Sequence, residues 1–263
     1  MAQAGKRYFT RFSARQRIEH LLIMALFIVL GLTGFPQKFF DNGWAQWLIA
    51  NLGGIDRVRW LHRWSGILFS LAAVAHLGSV IWLAVRKRIE LSMVPSKKDF
   101  QDAIVTLRYY LGLSDEQAQF DRFDYRQKFE YWGLVFGGVI MIVTGFILYF
   151  PTFFTRFFIG EMIPAAQVAH SNEGLLAFLV VIIWHIYNAH LNPDVFPLDL
   201  SIFTGKISAE RMQKEHPLEY ARAARESAIE APPPESLDTT AKEEESQQSA
   251  SRQGSVPSDK TEQ

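Results

Sequence analysis

None of the 263 residues is cysteine. This excludes disulfides, cysteine-ligated iron–sulfur clusters and covalent c-type haem, whose attachment needs C-x-x-C-H. Any metal must be held by His, Met or carboxylate. Net charge is also missing. The 27 Lys and Arg are matched by 27 Asp and Glu, so nothing argues for a nucleic-acid partner. The chain has no Rossmann-type glycine fingerprint and no hydrophilic catalytic domain.

Charge is absent from whole blocks as well. Residues 21–35, 64–85, 131–151 and 174–187 carry none, and 164–173 extends the last block with mostly small residues. A bilayer span needs about 20 apolar residues at about 1.5 Å rise each. The pattern predicts an all-α fold: a four-helix transmembrane bundle. The first block follows Lys6, Arg7, Arg11, Arg15 and Arg17, as in a signal peptide. Its apolar run is long for that role, and Gly34-Phe35-Pro36 is a poor cleavage site, so it reads as a retained helix. Five Lys or Arg precede the first span and nine lie between 86 and 128, against few in the other two connections. The positive-inside rule therefore places both termini in the cytoplasm of a bacterial inner-membrane protein.

The expected organisation is a basic leader (1–12), a transmembrane domain (13–200), a short cytoplasmic extension (201–225) and a tail (226–263). Pro232-Pro233-Pro234 followed by Glu, Ser, Gln and Lys gives the tail a composition that predicts disorder. Ser13 is a plausible N-cap for the first helix, which Pro36 should end. Residues 37–56 read as an external loop with Trp44 and Trp47 at an interface. Within the cytoplasmic segment, 96–111 reads as a capped amphipathic helix with Phe100, Ala103, Ile104, Leu107 and Leu111 on one face, for the membrane surface or a partner. The fourth helix should carry Pro164 in its first turn and end near His190. No internal repeat is apparent.

Six of the seven histidines, His20, His62, His76, His170, His185 and His190, fall in or beside the spans, where ionisable residues are rare and functional. His62 and His76 are 14 apart, about 40° short of four full turns, so they share a face about 21 Å apart. His170 and His185 are 15 apart, with an offset of about 60°. His62 and His170 belong to an outer level; His185, His76 and His20 to an inner one. Two tiers of imidazole facing across a bundle are what two axially ligated haem irons need. The outer pair is His62 with His170. The inner partner of His185 is His20 or His76, since helix azimuths are not in the sequence. Gly31, Gly34, Gly66, Gly137, Gly138 and Gly145 offer room beside a wide cofactor. Arg63 at the outer level, with Arg15 and Arg17 at the inner one, could pair with haem propionates.

Four stretches, 17–36, 60–77, 125–150 and 170–190, resemble the cytochrome b (gamma) subunits of membrane formate dehydrogenases and the cytochrome b subunits of nickel–iron hydrogenases. The resemblance implies two haem b groups, one held between helices two and four and the other between helices one and four. Carried onto this sequence, it implies His62 with His170 and His20 with His185, leaving His76 as the alternative inner ligand. It also implies exchange with a quinone (menaquinone or ubiquinone) near the inner haem, with Asn188 and His190 as polar candidates. The implied partner is a periplasmic iron–sulfur, molybdenum or multi-haem c-type subunit. The chain departs from the pattern in its spacing of 15 on helix four, where 14 is expected, and in the extra His76. Competing readings are a stand-alone membrane oxidoreductase, for which the short external loops leave little room, and a haem-free anchor or proton relay.

Overall fold

The computed structural model describes residues 7–89, 91–193 and 195–230. Its four long apolar helices are α1 (Ala14–Lys38), α3 (Ile55–Val85), α5 (Tyr125–Tyr149) and α7, which begins as Met162–Leu179. The last continues through π-helical turns at Val180–His185 and Tyr187–Leu191. Each of the four is long and apolar enough to cross a membrane. Side chains such as Leu71, Val74, Val139 and Ile183 remain more than half exposed, as lipid-facing residues should.

Capping chemistry sets where α1 and α5 begin. Ser13 accepts from the Gln16 amide while the Gln16 side chain accepts from the Ser13 amide, and Asp124 and Gln127 do the same. Pro36 does not end α1; it is buried inside the last turns. The segment read as an external loop holds a further helix, α2 (Gly43–Asn51). Ala45 and Ile49 bury its inner face, while Trp44 and Trp47 stay half exposed or more. Gly53 and Gly54, both at positive φ, turn the chain from α2 into α3. The four-residue helix α6 (Pro151–Phe154) follows α5.

Helix α4 (Lys97–Tyr110) has the expected Ser96 cap, closed by Asp99. It is tied to α5 by Lys128–Asp99 at 2.8 Å. Phe100, Ile104, Leu107 and Leu111 remain exposed along one stripe, a geometry suited to lying on a bilayer surface.

The leader and the extension, to which the sequence assigned no particular structure, pair with each other. β1 (Tyr8–Thr10) and β2 (Lys206–Ser208) form an antiparallel ribbon with Phe9 opposite Ile207. Beside it are α8 (Ser201–Thr204), α9 (Ala209–Glu215) and the start of α10 (Pro217–Glu230). Arg11 and Arg122 each bond one oxygen of the buried Glu219 carboxylate, at 2.7 and 2.9 Å. The ribbon, its short helices and the four long helices belong to one compact unit that ends at Tyr220, and the described part of the following one is the remainder of α10. The expected disordered tail lies, beyond Glu230, outside the described residues.

In the bundle, α1 packs most extensively on α3 and α5 on α7, giving two hairpins joined by α1–α7 and α3–α5 contacts. Here inner denotes the end carrying Ala14 and the β-ribbon, and outer the opposite end.

Candidate metal centre: two tiers of facing histidines

At the outer level His62 on α3 faces His170 on α7, ring centroids 6.2 Å apart and planes at 80°. Each imidazole is held from behind by the neighbouring helix of its own hairpin. Thr33 on α1 donates its hydroxyl to the Val29 carbonyl at 2.7 Å, and so accepts from His62 Nδ1 at 3.0 Å. Thr144 on α5 donates to the Ile140 carbonyl at 2.6 Å and accepts from His170 Nδ1 at 3.0 Å. Nδ1 therefore carries the proton, and the Nε2 lone pair is left for a metal. The glycine after each threonine admits the ring. A Cβ at Gly34 would sit 3.1 Å from His62 Cε1, and one at Gly145 would sit 3.2 Å from His170 Cε1.

At the inner level His20 on α1 faces His185 on α7, ring centroids 6.1 Å apart and planes at 35°. Glu130 on α5 lies 2.7 Å from His185 Nδ1, close enough for an ion pair though outside linear hydrogen-bond geometry. His20 Nδ1 is buried without a partner. The π-helical turns at Val180–His185 account for the spacing of 15: one inserted residue returns His185 to the phase of a 14-residue separation from His170.

His76, the alternative inner ligand, is engaged elsewhere. Its Nδ1 is 2.9 Å from Glu19 Oε2 on α1, and its Nε2 is 3.1 Å from the Tyr131 hydroxyl on α5. His190 Nδ1 is buried and unpaired, in the electrostatic neighbourhood of His20 and His185. Asn188 bonds back to the Trp184 carbonyl of its own helix. Arg63 stacks over Tyr149, its guanidinium 5.4 Å from the ring centre, in a shallow outer pocket with Asp56 and Arg59. Of the inner arginines, Arg15 bonds Ser79 and Arg17 lies within 3.4 Å of the Thr204 carbonyl.

Sequence reasoning missed Glu19, Glu130 and the two threonines, although the carboxylates, as acids in the second turn of α1 and of α5, were a readable signal. It also missed Lys38, whose ammonium bonds Ser171 and Asn172 beside His170. Of the glycines expected to make room, Gly34 and Gly145 lie against the histidine rings, and Gly137 lies against the Glu173 carboxylate.

The spacing suits an iron porphyrin. Metal–imidazole bonds of about 2 Å on both sides of one ion, with each ring centre about 1.1 Å behind its nitrogen, put the centroids about 6 Å apart. A porphyrin supplies four ligands itself, so two protein imidazoles complete the coordination.

The two hairpins also correspond residue by residue, which corrects the expectation of no repeat. Eight of the 25 residues 11–35 recur 111 positions later. They include the Arg that bonds Glu219 (Arg11, Arg122), the capping Gln (Gln16, Gln127), the carboxylate (Glu19, Glu130) and the Thr-Gly pair (Thr33-Gly34, Thr144-Gly145).

No family model matches the chain. It is 24% identical over 216 residues to the cytochrome b556(Fdn) subunit of the nitrate-inducible formate dehydrogenase of Escherichia coli, covering 80% of this chain and 92% of that subunit. It is 26% identical over 204 residues to the formate dehydrogenase cytochrome b556 subunit of Haemophilus influenzae, 78% of this chain and 79% of that one. To the cytochrome b556(fdo) subunit of E. coli formate dehydrogenase it is 25% identical over 179 residues, 68% and 77%.

Proposed function

We propose that this chain, a homologue of formate dehydrogenase cytochrome b556 subunits, is a multi-pass di-haem b-type cytochrome that carries electrons across its membrane. The observation that supports this reading is the pair of facing imidazoles at each of two levels, 6.2 and 6.1 Å between ring centres. His62 and His170 would hold the outer haem, and His20 and His185 the inner one.

Haem, when bound, supplies reversible one-electron chemistry. The chain's residues supply the rest. Thr33, Thr144 and Glu130 fix three of the four imidazoles from the Nδ1 side, which orients Nε2 across the bundle and raises its basicity. Along α3 the two levels are about 21 Å apart, so two carriers divide a hydrocarbon core of about 30 Å into shorter electron steps. Arg63 and Lys38 put cations at the outer end, where anionic propionates need them.

In the orientation set by the Lys and Arg count, both termini are cytoplasmic and the membrane is the bacterial inner membrane. Electrons pass between a quinone (menaquinone or ubiquinone) near the inner pair, with His190 and Asn188 beside it, and a periplasmic subunit carrying iron–sulfur, molybdenum or multi-haem c-type centres.

The test is a reduced-minus-oxidised spectrum with haem counting on the purified protein. Two b-type haems per chain are expected. His62→Ala or His170→Ala should remove one, and His20→Ala or His185→Ala the other. Absence of b-type bands, or retention of both haems in His62→Ala and His170→Ala, overturns the reading.

A further inference from the structure

The correspondence of the two hairpins predicts more than one inner site. An outer pair taken from the second helix of each hairpin, His62 and His170, is a single site shared between the halves. The inner level is different. There each second helix faces the first helix of the other hairpin, so a two-fold arrangement generates two inner sites. One is His185 (α7) facing His20 (α1), with Glu130 (α5) behind His185. The other is His76 (α3) facing Tyr131 (α5), with Glu19 (α1) behind His76.

The match is close. Ring centroids are 6.1 Å apart in both sites. The carboxylate lies 2.7 Å from His185 Nδ1 and 2.9 Å from His76 Nδ1. The His76 and His185 side chains are similarly placed, 32% and 34% exposed. Glu19 and His20 are adjacent on α1, and Glu130 and Tyr131 are adjacent on α5, so each first helix gives its carboxylate to one site and its ring to the other. The sites differ in one residue: Tyr131 stands where the repeat has His20.

We propose that Tyr131 limits the bundle to one inner haem, closing with its phenol a second, latent bis-imidazole site built on His76 and Glu19. The inference rests on the haem assignment above. An imidazole nitrogen lies about 1.1 Å from its ring centre and a phenol oxygen about 2.8 Å, so at equal ring separation the phenol takes up the space an iron would need. The hydroxyl donates directly to His76 Nε2 at 3.1 Å, and His76 donates from Nδ1 to Glu19. The imidazole is satisfied on both nitrogens and offers no lone pair. In the other site His20 Nδ1 is buried and unpaired. Asymmetry between the halves thus directs electrons along one inner route.

The experiment is haem counting by pyridine haemochromogen, with redox titration, on the full-length chain. Tyr131→His should raise the count from two to three and add a titrating component. Adding His76→Ala to that variant should return it to two. His76→Ala alone should keep two haems with an unchanged spectrum. A well-assembled Tyr131→His protein holding only two haems overturns the proposal. So does loss of a haem in His76→Ala alone, and that variant decides the matter if Tyr131→His fails to assemble. A wild-type protein without haem would instead sink the underlying reading.

Discussion

Replacing Thr33 by valine keeps the side chain's shape and removes one oxygen, the acceptor 3.0 Å from His62 Nδ1. The hydroxyl's own proton goes to the Val29 carbonyl at 2.7 Å, so the backbone of α1 loses little. What changes is the grip on the imidazole. A neutral hydrogen bond is worth about 1 kcal/mol net, and losing an outer partner of a ligating histidine costs about 10- to 100-fold in metal affinity. The valine variant leaves the ring packed against Gly34, so we take the lower end of that range. We expect outer-haem binding about tenfold weaker, or about 1.4 kcal/mol. The less basic imidazole stabilises ferric iron less, so the outer midpoint potential should rise. Thr144→Val should behave alike, since Thr144 repeats the geometry at 3.0 Å. Thr33→Ser should restore both properties. The assay is haem titration of haem-depleted protein in detergent, followed by spectroelectrochemistry. Wild-type affinity and potential in both valine variants, with the helices intact, would refute the assigned role of these threonines.

Two predictions concern the inner-end cap. His216 is buried, bonds the Asp121 carbonyl through Nδ1 at 2.8 Å and lies near Arg11; burial above all, then that cation, pushes its pKa from 6.5 down to about 4. The unfolded chain therefore binds the extra proton first, and stability should fall by up to about 3 kcal/mol as pH drops from about 6.5 to about 4. Thermal unfolding against pH checks this, and a His216→Gln profile as steep as wild type would contradict it. Glu219→Gln leaves the buried Arg11 and its neighbour Arg122 without their shared countercharge, at a cost of about 3 kcal/mol. Hydrogen exchange at Tyr8–Thr10 should accelerate accordingly; unchanged protection would show that Glu219 does not hold the ribbon in place.

The spans were legible because a bilayer imposes one length and one polarity on whatever crosses it, and uncharged blocks near 20 residues meet both. The histidine tiers were legible for a related reason: helical rise and rotation turn spacings of 14 and 15 into levels and faces. The outer pair could be read from depth alone, because only His62 and His170 lie there. At the inner level depth left His20 and His76 equal, and the choice depended on helix azimuth, which packing sets. In the fold, α1 turns His20 toward His185 while Glu19 and Tyr131 take up His76. The ribbon joining Tyr8–Thr10 to Lys206–Ser208 escaped notice because its strands are three residues each and their partners are about 200 residues apart.

By itself the amino-acid order determined that four helices cross a bilayer and that imidazoles stand at two depths, since both follow from local rules of length and rotation. Which imidazoles face each other, and which carboxylates and hydroxyls stand behind them, were decided only by tertiary structure. The first helices repeat in linear order at a constant offset of 111, but in the second helices the π-helical turns move the offset from 108 at His62 and His170 to 109 at His76 and His185, so only the folded chain brings those two inner histidines to matching places.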